Sequence, residues 1–291
     1  MNNYTGREIA IFSDVHALYE PLLSVINDIK ERNISEIYSL GDNIGFGINP
    51  EEVLDLIIDN NIIMINGNAE EYVIIGTDPY KDYLWGERID AAIWTKNHLR
   101  LDQIEFLKEN KHSIDLTVGG KKVGLCHFAN DVRFDYRERG TRAYQLRFKE
   151  SDNPNSQFLY TNSEEQTKEI EEYSKIDDSI YDGYRSALID RLFNGKKVTC
   201  YDEIIEGHVH FKLYSDSSNI SVRTIRALAM AYSKDEDLDK AYYIILKEKD
   251  IGYDIEEVYV KYDRDKMMEK INISDIPMKE KLIKYINIET V

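Results

Sequence analysis

Seven residues with side chains of metal-ligand type stand just after short apolar runs in this chain. Asp14 and His16 stand two apart, directly after Ile9–Phe12. Asp42 follows Gly41 at the end of a second run, and Asn68 follows Gly67 at the end of a third. His127 closes Val123–Cys126, and His208 and His210 occupy Gly207-His208-Val209-His210 after Glu203–Ile205. Taken alone, an Asp-x-His pair is more often loop polarity or a helix cap; the full set of seven is what points to metal. A mixture of carboxylate, amide and imidazole donors suits Mn2+, Fe or Zn2+. Ca2+ takes oxygen ligands, and structural zinc sites are rich in cysteine. Cys126 lies inside an apolar run and reads as packed. Seven donors are too many for one open site but suit two ions that share a carboxylate.

The elements needed to present these residues are legible in outline. Ile9–Phe12, Glu36–Leu40 and Ile62–Ile65 read as short buried strands, each running into a polar, glycine-bearing loop. Helical spacing predicts helices over Ala17–Asn33 (Leu18, Leu22, Val25, Ile26, Ile29) and Pro50–Asn60, with Pro21 in the first turn of the former. Strands alternating with helices predict a largely parallel sheet. In such sheets, sites form beyond the strand C-termini.

From Glu70 to Asn110 the chain reads as helical. Ile114–Val118 and Val123–Cys126 form a hairpin across Gly119-Gly120-Lys121-Lys122. Residues 129–182 have no sustained period and few aliphatics, and read as an inserted, lid-like segment. After a helix near Gly183–Phe193 come strands at Glu203–Ile205, Phe211–Tyr214 and Ser221–Ile225. A hairpin of Ala241–Lys247 and Ile255–Tyr262 follows, then helices at Asp263–Ile271 and Pro277–Ile286. With no repeat and no linker rich in Pro, Gly or Ser, residues 1–291 read as one domain carrying the 129–182 insertion.

Composition narrows the function classes. The chain has 291 residues, 42% of them hydrophobic and 31% charged, which fits a globular protein. Its formal net charge of −17 disfavours non-specific binding to nucleic-acid backbones. Two cysteines define no disulfide framework and fit a reducing cytosol. No secretory signal and no membrane-spanning run are present, so a cytoplasmic protein is expected. Its oligomeric state is left open. Of the six histidines, His98 and His112 match no motif and read as structural or surface residues.

In this order, Asp-x-His, Gly-Asp, Gly-Asn, a later lone His and Gly-His-x-His resemble the signature of the calcineurin-like metallophosphoesterases. The stretch Gly45-Phe46-Gly47-Ile48-Asn49-Pro50-Glu51-Glu52-Val53 is similar to the bacterial branch with small phosphodiesterases and dinucleoside polyphosphate hydrolases. The motifs run from Asp14 to His210, and the last 65 or so residues are matched only loosely. The resemblance implies an α/β fold: a four-layer αββα sandwich of two mixed sheets, with the site along one edge. It implies that Asp14, His16 and His210 hold one divalent ion, that Asn68, His127 and His208 hold another, and that Asp42 bridges them. The ions expected are Mn2+ and/or Fe, with Zn2+ as the alternative. Asp42, Asn68 and His208 would be the catalytic members, with a metal-bridging hydroxide attacking phosphorus in line.

Two departures from the family pattern bear on substrate. A histidine usually follows the asparagine of Gly-Asn and serves the leaving group or transition state. Here Ala69 stands there and can do neither, which favours phosphodiesters over phosphomonoesters. Glu70 reads as a cap on the following helix, or else as a group that binds metal-coordinated water. After Gly-His-x-His, Thr224-Ile225-Arg226-Ala227 replaces a turn usual in this branch, and Arg226 could reach substrate phosphate. Arg133 and Arg137, just after His127, could clamp the non-reacting part of a substrate.

The expected substrate is thus a small phosphorylated or nucleotide-like molecule, a phosphodiester or phosphoanhydride. The alternatives are a phosphoprotein or small-molecule phosphomonoesterase and, in another class, a catalytically weak metal-bound scaffold.

Overall fold

Ile9 to Phe12 are apolar at every position, and a strand apolar on both faces must be covered on both. A computed structural model describes residues 4–77, 86–111, 113–127, 146–147, 159–160, 201–208, 210, 212–216, 221–230 and 238–287. In chain order its elements begin with β1 (Tyr4–Phe12), α1 (Tyr19–Glu31), β2 (Glu36–Ser39), α2 (Pro50–Asp59), β3 (Ile63–Met64) and α3 (Asn68–Ile74). Next come α4 (Glu87–Asn97), α5 (Leu101–Glu109), β4 (Ser113–Val118), β5 (Lys121–Cys126), β6 (Leu146–Arg147) and β7 (Leu159–Tyr160). The last are β8 (Glu203–Glu206), β9 (Leu213–Asp216), β10 (Ser221–Thr224), β11 (Lys240–Lys249), β12 (Tyr253–Lys261), α6 (Arg264–Ile273) and α7 (Lys279–Asn287).

The strands form two five-stranded mixed sheets, ordered β12-β11-β1-β2-β3 and β4-β5-β8-β10-β9. Parallel pairing is confined to β1-β2-β3 in the first and β5-β8-β10 in the second. The largely parallel sheet expected from strand–helix alternation is therefore corrected. The C-terminal chain returns as a tight hairpin, whose strands must be antiparallel. Its first strand, β11, lies beside β1 with Ile11 opposite Ile244.

Alternation along β1 and β11 assigns the two cores. Ile9, Ile11, Tyr242, Ile244 and Leu246 point between the sheets, where they meet Leu116, Val118, Val123, Leu125, Ile205 and Ile225. Ala10, Phe12, Ala241, Tyr243 and Ile245 face the other way, onto a helical layer. That layer buries Leu22, Val25, Ile26 and Ile29 of α1, Val53, Leu54 and Ile57 of α2, Met267 and Ile271 of α6, and Leu282 and Ile286 of α7. Each such side chain contributes about 1.5–3 kcal/mol on burial. Helix, sheet and sheet are thus three layers of the expected sandwich.

Residues 78–85, most of the 129–182 insertion and the helix near Gly183–Phe193 lie outside the described residues, as do Arg133, Arg137 and His112. Within residues 129–182, Leu146 pairs with Tyr160 and Arg147 with Leu159.

The stretch expected to be helical from Glu70 to Asn110 divides into α3, α4 and α5. At the break before α5 the Gln103 side chain accepts the Arg100 N–H, a local cap that starts a new helix. At the end of the sandwich where β4 turns into β5, the β4–β5 and β11–β12 turns touch: the Gly252 N–H donates to the Gly119 carbonyl. A Cβ on Gly119 would stand 1.9 Å from the Gly252 oxygen. Among the described residues no helix is long and apolar enough to cross a membrane.

Candidate metal centre

The loops that leave β1, β2, β3, β5 and β8 converge, and hydrogen bonds tie them across the gap between the sheets. The Asp14, His16 and Ala17 N–H groups donate to the carbonyls of Gly41, Asp42 and Asn43, which locks the first loop to the second. The Gly207 N–H donates to the His127 carbonyl, and the Leu228 N–H to that of Ser13. The His208 N–H donates to Asp14 Oδ2 at 2.9 Å, and the His127 ring bonds the Leu40 carbonyl through Nδ1 at 2.8 Å. These last two contacts join ligand loops of opposite sheets.

Two groups of side chains result. In the first, His16 Nε2 and His210 Nε2 are 2.8 Å apart, with Asp14 Oδ1 at 3.9 and 3.4 Å from them. In the second, His127 Nε2 lies 3.5 Å from Asp42 Oδ2, 3.2 Å from Asn68 Oδ1 and 3.1 Å from His208 Nδ1. All seven residues singled out in the sequence as ligands therefore fall in these two groups.

Three observations bear on whether a cation fits. Asp14 Oδ1 is buried and has no hydrogen-bond partner. His127 spends its Nδ1–H on Leu40, which leaves Nε2 as the ring nitrogen facing Asp42, Asn68 and His208. The ligand-type atoms of Asp14, His16 and His210, and those of Asp42, His127 and His208, lie within 4.8 Å of one another in each group, with the Asn68 amide oxygen beside the second. The donor set fits a borderline or hard divalent ion in each group.

The electrostatics agree. Burial, and then the neighbouring His210, push the His16 ring down to about 4. Burial and His127 push His208 down to about 3. Both rings are therefore neutral at ordinary pH, as a ligand must be. Burial opposes charge on Asp14, but the His210, His127 and His16 rings hold its carboxyl below the usual range. His127 is different: burial disfavours its charged form, yet Asp42 and Asp14 raise it to about 10. In the ion-free site the His127 ring carries the positive charge that the carboxylates call for.

Backbone geometry marks the same residues. Asp14, His16, Asp42, His208 and His210 have φ of +54°, +49°, +52°, +73° and +63°. Left-handed backbone in a non-glycine residue costs about 1–3 kcal/mol and persists where surrounding structure enforces it. Glycine precedes three ligands for a matching reason. A Cβ on Gly67 would lie 2.4 Å from Asp42 Oδ1, and one on Gly207 would lie 1.9 Å from Ser13 Oγ.

Some participants had no signal in the sequence. The Ala69 N–H donates to Asp42 Oδ1 at 2.7 Å, so Oδ2 is the oxygen left to the site. Its methyl group is buried in the helix-side core and packs against Gly45. The Phe46 ring stands edge-on to His16, 5.0 Å between centroids.

Glu70 accepts the Gly67 N–H as a helix cap would. It also accepts the Asp42, Asn43 and Ile44 N–H groups. Burial and then Asp42 push its carboxyl up to about 7. The Arg226 guanidinium lies over Tyr242 and Tyr259 and donates to the Tyr259 hydroxyl at 3.3 Å. The next residue's N–H donates to the His210 carbonyl.

No family profile matches the chain. The uncharacterized protein MJ0912 of Methanocaldococcus jannaschii is 38% identical over 119 residues, 41% of this chain. That match spans about half, 48%, of the relative's own length. Among solved structures, a hypothetical protein of Pyrococcus horikoshii, PH1004, superposes with a TM-score of 0.64 at 16% identity, covering 96% of this chain and 97% of that one. A metallophosphoesterase of Sphaerobacter thermophilus superposes with a TM-score of 0.58 at 17% identity, covering 98% and 99%. The chain therefore has the metallophosphoesterase fold, as the resemblance in its sequence implied.

Proposed function

We propose that the chain is a phosphoesterase dependent on two divalent metal ions, acting on a phosphodiester or phosphoanhydride of nucleotide-like size. The observation that carries this reading is the convergence of seven donors from five strand-end loops into two adjoining groups, five of them in strained backbone.

Asp14, His16 and His210 would hold one ion. Asn68, His127 and His208 would hold the other, with the Asp42 carboxylate shared. Such ions supply Lewis acidity toward phosphoryl oxygens and lower the pKa of coordinated water. The chain's own part is positional. Leu40 orients His127, the Ala69 N–H orients Asp42, and the His208 N–H orients Asp14. Ala69 offers no proton to a leaving group, which favours substrates whose leaving oxygen needs none. Arg226, beside the His210 loop, and Arg133 and Arg137 are the cationic side chains assigned to the non-reacting part of the substrate. The native ions are taken as Mn2+ and/or Fe, in a cytoplasmic protein.

The test is direct. Protein loaded with Mn2+ is assayed against a chromogenic phosphodiester and the matching monoester. The reading expects diester turnover that exceeds monoester turnover and disappears in Asp42→Ala. Monoester turnover alone would make the protein a phosphomonoesterase. No turnover of either, with two ions bound, would make it a scaffold.

A further inference from the structure

We infer that Glu70 is a positioning residue for the second ligand group, an inference that rests on the two-ion reading above. Its carboxylate, fully buried, ties together the loops that carry Asp42 and Asn68 and so sets where their oxygens stand.

The bonds are specific. Oε2 accepts the N–H of Asp42 at 2.9 Å and of Gly67 at 2.7 Å. Oε1 accepts the N–H of Asn43 at 2.7 Å and of Ile44 at 3.4 Å. A carboxylate offers about four lone-pair sites, and here each oxygen takes two donors. A helix cap needs only the Gly67 bond. The other three reach back 26 to 28 residues to the loop after β2, which is not part of the helix. Residues 42 and 67 also stand against each other directly, since a Cβ on Gly67 would meet both the Asp42 side chain and its backbone nitrogen. Glu70 thus supplies the acceptors that let two N–H-rich turns approach this closely in a buried place.

The first group has no direct bond to Glu70 and touches the loop after β2 through backbone bonds. Asp14 is fixed by the His208 N–H, and its own N–H goes to Gly41. Loss of Glu70 should therefore separate the two groups. Glutamine is nearly isosteric, but its NH2 accepts nothing. Either amide orientation leaves two backbone N–H groups facing a donor. Aspartate keeps two accepting oxygens on a shorter stem.

The experiment compares the full chain with Glu70→Gln and Glu70→Asp, each stripped of metal and titrated with Mn2+. Binding is followed by calorimetry and by electron paramagnetic resonance. The unaltered chain is expected to bind two ions per chain and show a spin-coupled spectrum. In Glu70→Gln the second ion should bind about 10- to 100-fold more weakly, the usual cost of losing a group that orients a ligand. The first ion, which keeps Asp14, His16 and His210, should weaken less and give the six-line spectrum of isolated Mn2+. Glu70→Asp should recover part of the second affinity.

Equal weakening of both ions, or no change in either, would overturn the inference while leaving the two-ion reading intact. Failure of both variants to fold would assign Glu70 to the fold and also overturn it. An unaltered chain that binds fewer than two ions would remove the two-ion reading itself.

Discussion

On the two-ion reading, His127 is the proposed ligand whose protonation should most affect metal binding. Asp42 and Asp14 raise its folded pKa from the ordinary 6.5 to about 10, so the ion-free ring is charged at neutral pH. Coordination needs the Nε2 lone pair, and that proton must leave. His16 and His208, lowered to about 4 and 3, have none to give there. Filling the second group near neutral pH should thus release about one proton per chain, and affinity should rise with pH until His127 titrates. Calorimetry in buffers of different ionisation enthalpy measures this directly, and a heat independent of buffer would contradict it.

The linkage for stability has the matching sign. A raised histidine pKa stabilises the ion-free fold fully below its unfolded value, and that contribution is lost as pH rises toward 10. Ala69 carries a second prediction. Its methyl group is buried against Gly45, so Ala69→His should lower stability by about 1–3 kcal/mol by overpacking. Denaturant unfolding checks the amount.

At the scale of elements, the strand-end loops are held in conformations that the ligands themselves disfavour. Stability is therefore lost where glycines permit close approach. Gly67→Ala places a Cβ 2.4 Å from Asp42 Oδ1 and 2.9 Å from the His127 ring. The variant should fold with reduced stability and lose the second ion before the first, which metal analysis after gel filtration would show. Retention of both ions at unchanged affinity would mean the loop yields more easily than its contacts suggest.

The loops also show how far the sequence could be read. The seven ligands were legible because donor identity resides in the side chain, and each follows an apolar run that reads as a strand. The Ala69 N–H, the Leu40 carbonyl and the four N–H groups around Glu70 were not, because every residue type but proline carries the same backbone donors. Helices α3, α4 and α5 read as one stretch for a related reason. The Gln103 cap on Arg100 is a side-chain bond that hydrophobic periodicity does not register.

For the whole molecule, the C-terminal segment belongs to the first sheet's interior. Strand β11 lies between β1 and β12, and Ala241, Tyr243, Ile244, Ile245 and Leu246 are buried. A chain ended at residue 239 would strip part of the cover from both cores and leave one backbone edge of β1 unpaired. It should show no cooperative melt by circular dichroism, whereas the full chain should. A truncated chain that still melts cooperatively would show that the parallel strands suffice.

The sequence by itself determined the chemistry available. It placed seven metal-binding donors after apolar runs, in an order that resembles one family, and an alanine where that family usually has a proton donor. The fold confirmed the sandwich of mixed sheets. Only the tertiary structure decided which donors face one another. Residues 14, 16, 42, 68, 127, 208 and 210 meet because the two sheets stack with their parallel strands ending on the same edge. It also decided that Glu70 points into the backbone of two loops, away from solvent. Long-range approach of this kind follows from how two buried faces pack, and no local pattern along the chain encodes it.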